Sequence, residues 1–176
     1  MTKSTFSCPI YCKEKQMLIS DLLIRLYNLD TAKVFDYADD GIIIRKPIGP
    51  EVAKVIAWVK RVFGSNWASE AMVALGSYPF SCYIALKDSK IRGFCCYNAT
   101  ALGYIGPVGV ARRFRRKGIG KGLLLSCCRE MRRMGYGYAV VGWVSEENVA
   151  FYKNTAGAFV IPESDPGIYA GMISDK

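Results

Sequence analysis

The stretch Leu102–Tyr136, LGYIGPVGVARRFRRKGIGKGLLLSCCREMRRMGY, decides the fold. Tyr104 to Val110 is apolar, punctuated by Gly and Pro, and reads as a strand. Arg112 to Gly120 is a basic turn that carries glycines. From Gly120 onward, Leu123, Leu124, Cys127, Cys128, Met131 and Met134 recur at helical spacing until Gly135 stops the run. Strand, glycine turn and helix aim free backbone N–H groups at one point, and the helix N-terminus adds about half a positive charge. Glycine admits positive φ and lets a ligand come close to the backbone. Arg112, Arg113, Arg115, Arg116 and Lys117 add formal charge beside the turn. Together these are the marks of a phosphate or pyrophosphate site.

Three phosphate-binding patterns compete for these residues. A P-loop needs Gly, four residues, then Gly-Lys-Ser/Thr; Gly118-Ile-Gly120-Lys121-Gly122 has neither that spacing nor the hydroxyl. A dinucleotide fingerprint needs G-x-G-x-x-G and an acidic residue at the end of the next strand; here the spacing is G-x-G-x-G and the acid is missing. Arg115-Arg-Lys-Gly118-Ile-Gly120, after the V-x-V strand end of Val108 and Val110, gives R-x-x-G-x-G. This resembles the acetyl-coenzyme A loop of the GCN5-related N-acetyltransferase (GNAT) superfamily. Downstream, Glu147-Asn-Val-Ala-Phe-Tyr152-Lys-Asn-Thr-Ala-Gly157-Ala-Phe159 resembles that family's N-x-x-A-x-x-F-Y-x-x-x-G-F segment. Two motifs in order are more specific than either alone, and the resemblance runs from about Asp40 to the C-terminus.

Composition narrows the chemistry. The 176 residues suffice for one domain with a real core, and 51% hydrophobic against 22% charged residues argues against disorder. There is no histidine, which excludes Ser-His-Asp and Cys-His nucleophile systems, H-E-x-x-H and Cys₂His₂ zinc sites. No C-x-x-C pair occurs, so no metal is expected. Acid–base work falls to Glu, Asp, Tyr, Lys, Cys, a terminus or water. The seven cysteines are odd in number, with Cys95-Cys96 and Cys127-Cys128 adjacent, and read as reduced core residues of a cytoplasmic protein. No apolar run is long enough to span a bilayer, so no membrane partner is expected. A net charge of +9 raises a nucleic-acid reading, and Arg92-Gly-Phe94-Cys-Cys-Tyr97 distantly resembles an aromatic RNA-binding strand. A pyrophosphate ligand accounts for one basic cluster, and a solvated helix face for Lys121, Arg129, Arg132 and Arg133. No nucleic-acid partner is therefore expected.

Along the chain, Gln16 to Leu29 is strongly apolar and reads as a helix, with a short helix over Thr31 to Asp39. Residues 1–39 are read as an N-terminal helical extension, which leaves a homodimer open, and 40–176 as the acetyltransferase-like domain. Gly41 to Pro47 is a β-branched strand. Pro50 opens a helix that stops at Gly64, and a second runs from Ser65 or Asn66 through Leu75. Ser81–Lys87 and Ile91–Tyr97 form a hairpin through Asp88-Ser89-Lys90. Tyr138 to Val144 is a buried strand, and Ser145 caps a helix that Gly157 ends. Ala158–Ile161 and Gly167–Ile173 are final strand candidates. The elements imply α and β structure with a parallel stretch around the central helix. The resemblance adds a mixed α+β sheet of the GNAT acyl-CoA N-acyltransferase type.

The resemblance also assigns roles. Acetyl-CoA would be the co-substrate and an amine on a small molecule or protein the acceptor. Val108, Gly109 and Val110 would hold pantetheine through their backbone, as an edge strand holds a peptide. Arg115, Arg116, Lys117, Gly118, Ile119, Gly120 and Lys121 would surround the pyrophosphate. Tyr152 aligns with the family's general acid, and Asn148, one turn earlier on the same face, with a pantetheine contact. Many members carry a base Glu on the strand before the loop. Here Ala101 to Val110 has no carboxylate, so either water relays the proton or Glu70, near the start of the second helix, supplies the base. A non-catalytic acyl-CoA sensor and a basic RNA-binding module remain the alternative readings.

Overall fold

Val52, Val55, Ile56, Val59 and Phe63 recur at helical spacing between Pro50 and Gly64, and they form the inner face of the first helix. A computed structural model describes residues 19–29 and 41–173. The strands are β1 (Ile19–Arg25), β2 (Ile43–Arg45), β3 (Cys82–Lys87), β4 (Lys90–Tyr97), β5 (Ile105–Val110), β6 (Tyr138–Ser145) and β7 (Phe159–Val160). The helices are α1 (Val52–Phe63), α2 (Ser65–Leu75), α3 (Ile119–Arg133) and α4 (Glu146–Ala156). One antiparallel sheet has the order β2-β3-β4-β5, and the other β6-β1-β7. They meet at one parallel bridge, Tyr104 to Val140. This is the parallel stretch expected around the central helix, reduced to its shortest form.

Two apolar layers cover the sheets. On one face α3 inserts Ile119, Leu123, Leu124, Cys127, Cys128 and Met131 against Leu22, Ile24, Cys95 and Ile105. On the other, Val55, Trp58 and Val59 of α1 and Ala68, Ala71 and Leu75 of α2 pack on Cys82, Ile84, Phe94 and Cys96. Gly93 is required at the first layer: a Cβ there would lie 2.9 Å from the Gly109 carbonyl and from a Leu123 methyl. Truncating a core leucine of α3 removes about 2–5 kcal/mol.

The helix expected over Gln16 to Leu29 is instead strand β1 and a 3-10 turn over Leu26–Asn28. Its register to β6 runs from Ile19↔Ser145 to Arg25↔Tyr138, with β7 on its other edge at Leu22↔Val160. Leu22 and Ile24 are buried on one face, and Leu23 on the other is equally apolar, so the sequence lacks clean alternation and imitates a helical period. The short helix expected at Thr31 to Asp39 lies outside the described residues. The strand expected over Gly167–Ile173 is a 3-10 turn, Gly167–Tyr169, followed by loop. Gly167 and Gly171 take φ of 56° and 77°, which no extended run accommodates. Phe94, fully buried, and Tyr97, 2% exposed, cannot present the stacking surface that the RNA-binding reading requires.

Candidate functional site

The outer edge of β5 is the first component. On its inner edge β5 pairs with β4 through Gly93↔Val110, Phe94↔Gly109 and Cys95↔Val108. Ala111 N–H donates to the Arg92 carbonyl at 2.8 Å. By the alternation of an antiparallel ladder, Val108 and Val110 direct their backbone groups to the other edge. There the carbonyl of Val110 accepts Arg115 Nε at 3.1 Å. Beyond the Tyr104–Val140 bridge β6 pairs with β1, and β5 and β6 diverge. The result is a wedge with unpaired strand edge along one wall. Gly109 faces the opposite layer, where a Cβ would come within 2.7 Å of Phe63 and 2.8 Å of Phe94. Its lack of a side chain serves packing as well as the strand.

The turn after β5 is the second component. Phe114 N–H closes a 3-10 turn on Ala111. Arg116 and Gly118 then take φ of 61° and 76°, and α3 starts at Ile119. Gly122 donates the helix's first bond, 3.0 Å to the Gly118 carbonyl. The N–H groups of Ile119, Gly120 and Lys121 therefore lack intrahelical acceptors and face outward. Arg115, Arg116, Lys117 and Lys121 are exposed around them. The Ile119 side chain is buried in the core, so only its backbone can serve a ligand. A Cβ on Gly120 would lie 3.4 Å from the Phe151 ring and 3.6 Å from Val110. Gly120 thus joins α3, α4 and β5 at close approach.

Helix α4 supplies the third. Asn148 is exposed and donates from Nδ2 to Ser145 Oγ at 2.8 Å. Tyr152, one turn later, packs edge-on to Phe151 with centroids 4.9 Å apart. Burial pushes the Tyr152 phenol far above its ordinary range, and the nearby Cys95 thiol pushes it further. Cys95 is the register partner of Val108, so the Tyr152 side chain is directed toward the middle of β5. A neutral phenol there can donate a proton or a hydrogen bond.

Glu70 lies in α2, which packs on the opposite layer, and no described contact joins it to Tyr152. Its carboxylate accepts the Thr100 hydroxyl. Burial raises the Tyr169 phenol to about 12, with Glu70 and then Asp21 adding to the shift. Asp21, 5% exposed, accepts Trp143 N–H on Oδ1 at 2.8 Å, where Trp143 takes φ of 54°. Tyr169 stacks on the Trp143 ring at 5.0 Å. Burial raises the Tyr104 phenol, and Asp21 adds to this. The sequence alone assigned no role to Asp21, Thr100 or Tyr169. The available signal was a carboxylate inside an apolar run, which signifies a strand bulge needing an acceptor. The β5–β6 wedge thus separates two sets of groups: Tyr152 and the basic turn on the α3 face, Glu70, Thr100, Tyr169 and Asp21 on the other.

The described cysteines are poorly suited to nucleophilic chemistry. Cys82, Cys95, Cys96, Cys127 and Cys128 are free and buried. Burial drives the thiols of Cys96, Cys127 and Cys128 well upward, which suppresses the thiolate. No described helix is long and apolar enough to cross a membrane.

With this geometry established, comparisons with known proteins are informative. The sequence pattern of the Acetyltransferase (GNAT) family matches residues 52–158. The glucosamine N-acetyltransferase region of a fungal multi-domain GH3 β-N-acetylglucosaminidase superposes with a TM-score of 0.66 at 16% identity, covering 81% of this chain and 20% of that one. A GCN5-related N-acetyltransferase from Sphaerobacter thermophilus gives 0.59 at 22% identity, over 81% of this chain and 48% of the other. An aminoglycoside N-acetyltransferase solved with CoA gives 0.50 at 17% identity, over 64% and 83%. The chain spans about a fifth and about half of the first two structures, and at these identities the likeness shows the fold. No curated protein matches the chain.

Proposed function

This chain belongs to the Acetyltransferase (GNAT) family, and from that premise we propose that it transfers the acetyl group of acetyl-CoA directly to a primary amine. The observation that carries the reading is the pairing of an unpaired β5 edge with a helix N-terminus at its end. The residues present fit the co-substrate. The backbone of Val108 and Val110 offers the amide arm a strand edge, and the N–H groups of residues 118 to 121 with their flanking cations offer the pyrophosphate a nest. Bound there, acetyl-CoA supplies a thioester whose acyl carbon an amine can attack.

The protein's part is positional and acid–base. The amine nitrogen forms its bond to the acyl carbon, the carbon–sulfur bond breaks, and sulfur leaves with the electron pair. Tyr152, kept neutral by burial, protonates that sulfur. Glu70, with Thr100 on its carboxylate, takes the proton released from the amine on the other side of the wedge. Asn148 turns from Ser145 to hold the pantetheine arm. The aminoglycoside N-acetyltransferase solved with CoA is a relative in fold that supports a CoA ligand.

Calorimetric titration with acetyl-CoA, with ATP as control, tests the reading on wild type and Gly120→Glu. Saturable coenzyme binding, lost in the variant, is expected. A folded wild type that binds no coenzyme would overturn it. Coenzyme binding without turnover on any amine would favour the sensor reading.

A further inference from the structure

A second anion-binding feature lies against α1 and borders the basic turn only at Phe114. A groove of about 440 Å³ runs between α1 and the start of β4, lined by Lys54, Ala57, Trp58, Arg61, Lys90, Ile91 and Arg92. That volume is in the range of small-molecule sites. Four of the seven lining residues are cations and none is acidic. Like charges brought together destabilise a fold unless something offsets them. Glu51 lies in the field of Lys54, but its oxygens are taken by Arg45 at 2.7 Å and the Ile48 N–H at 2.9 Å. The guanidinium of Arg92 sits over the Phe114 ring, 4.3 Å from its centroid. Its Nε is the one described buried side-chain nitrogen or oxygen without a hydrogen-bond partner. Leaving a buried charged donor unpaired is costly, so an Arg held this way marks a place where an acceptor belongs. Trp58 and Ile91 add an apolar wall beside the cations.

We infer that this groove binds a small phosphorylated organic molecule, its phosphate oxygens meeting Arg92, Lys90, Arg61 and Lys54 and its apolar body meeting Trp58 and Ile91. Arginine favours phosphate because its planar fork supplies parallel donors to tetrahedral oxygens. The groove shares none of its lining residues with the turn at residues 115 to 121, and meets it only where Arg92 and Lys117 both lie over the Phe114 ring.

Pyrophosphate is the probe. It is titrated into the full chain while the Trp58 indole N–H resonance, assigned with Trp58→Phe, is followed by NMR. Wild type should show a saturable shift, retained in Gly120→Glu. Arg92→Gln should weaken the affinity about tenfold or more. Arg61→Gln, on the exposed side of α1, should weaken it less and serves if Arg92→Gln does not fold. An unmoved Trp58 signal at millimolar pyrophosphate would overturn the inference. So would equal affinity in wild type and Arg61→Gln together with Arg92→Gln, or loss of the shift in Gly120→Glu. Glucose 6-phosphate, compared with inorganic phosphate, should bind more tightly if the apolar wall contributes; equal binding would remove the organic part of the claim.

Discussion

The two sides of the β5–β6 wedge are built from different materials. The α3 side is mostly backbone: an unpaired strand edge, a turn with two left-handed residues and the first N–H groups of a helix, all within residues 108 to 121. The opposite side is mostly side chains, drawn from Asp21, Glu70, Thr100, Tyr104 and Tyr169. A backbone-built site keeps its shape while surrounding side chains change. A side-chain-built site is redefined by each substitution.

Four measurements bear on that contrast. The largest effect is expected for Tyr152→Phe, which removes the proton and leaves the ring. Turnover should fall about 100- to 10,000-fold with coenzyme affinity nearly unchanged by calorimetry; full turnover would remove Tyr152 from the chemistry. Next, Gly120→Glu should cost about 100-fold or more in coenzyme affinity, while Arg116→Ala costs only a few-fold, since each exposed cation contributes little. The reverse ranking would break the backbone side of the contrast. Third, Asp21→Ala strands the Trp143 N–H and should destabilise the fold by about 1–3 kcal/mol in urea unfolding. An unchanged midpoint would show the carboxylate to be dispensable to the bulge.

The smallest effect concerns Tyr169. Its folded phenol ionises at about 12, against 10 ordinarily, because burial, then Glu70 and Asp21, disfavour the phenolate. The neutral form is favoured in the fold, so its contribution to stability is complete below pH 10 and is lost as pH rises through about 12. Absorbance titration of wild type minus Tyr169→Phe should isolate one phenol titrating near 12. A difference curve centred at 10 would place Tyr169 in solvent.

The same contrast explains what could be read in the sequence. Glycine and arginine spacing carry a backbone-built turn directly, since positive φ and local charge leave marks within a few residues. Val108 to Lys121 lies where those marks put it, and helices α1 to α4 follow their Gly and Pro boundaries. Asp21 and Glu70 are far apart in sequence, and only the register of β1 to β6 and the packing of α2 set their positions. β1 imitates a helical period because Leu23, on its half-buried face, is as apolar as Leu22 and Ile24 in the core, which blurs the alternation. The loop at Tyr169 was misread because its residues are apolar for the sake of the Trp143 stack, without being extended.

The buried thiols give each face of the sheet its own clock. Cys82 and Cys96 lie under α1 and α2; Cys95 lies under α3, and Cys127 and Cys128 are on the buried face of α3 itself. A thiol reagent reaches either set only through an opening of the layer above it, so its rate measures the free energy of that opening. With Cys8 and Cys12 replaced, peptide mapping of alkylated protein would time the two layers separately. A coenzyme bound in the wedge should slow the α3 set first, while a ligand in the α1 groove should slow the other.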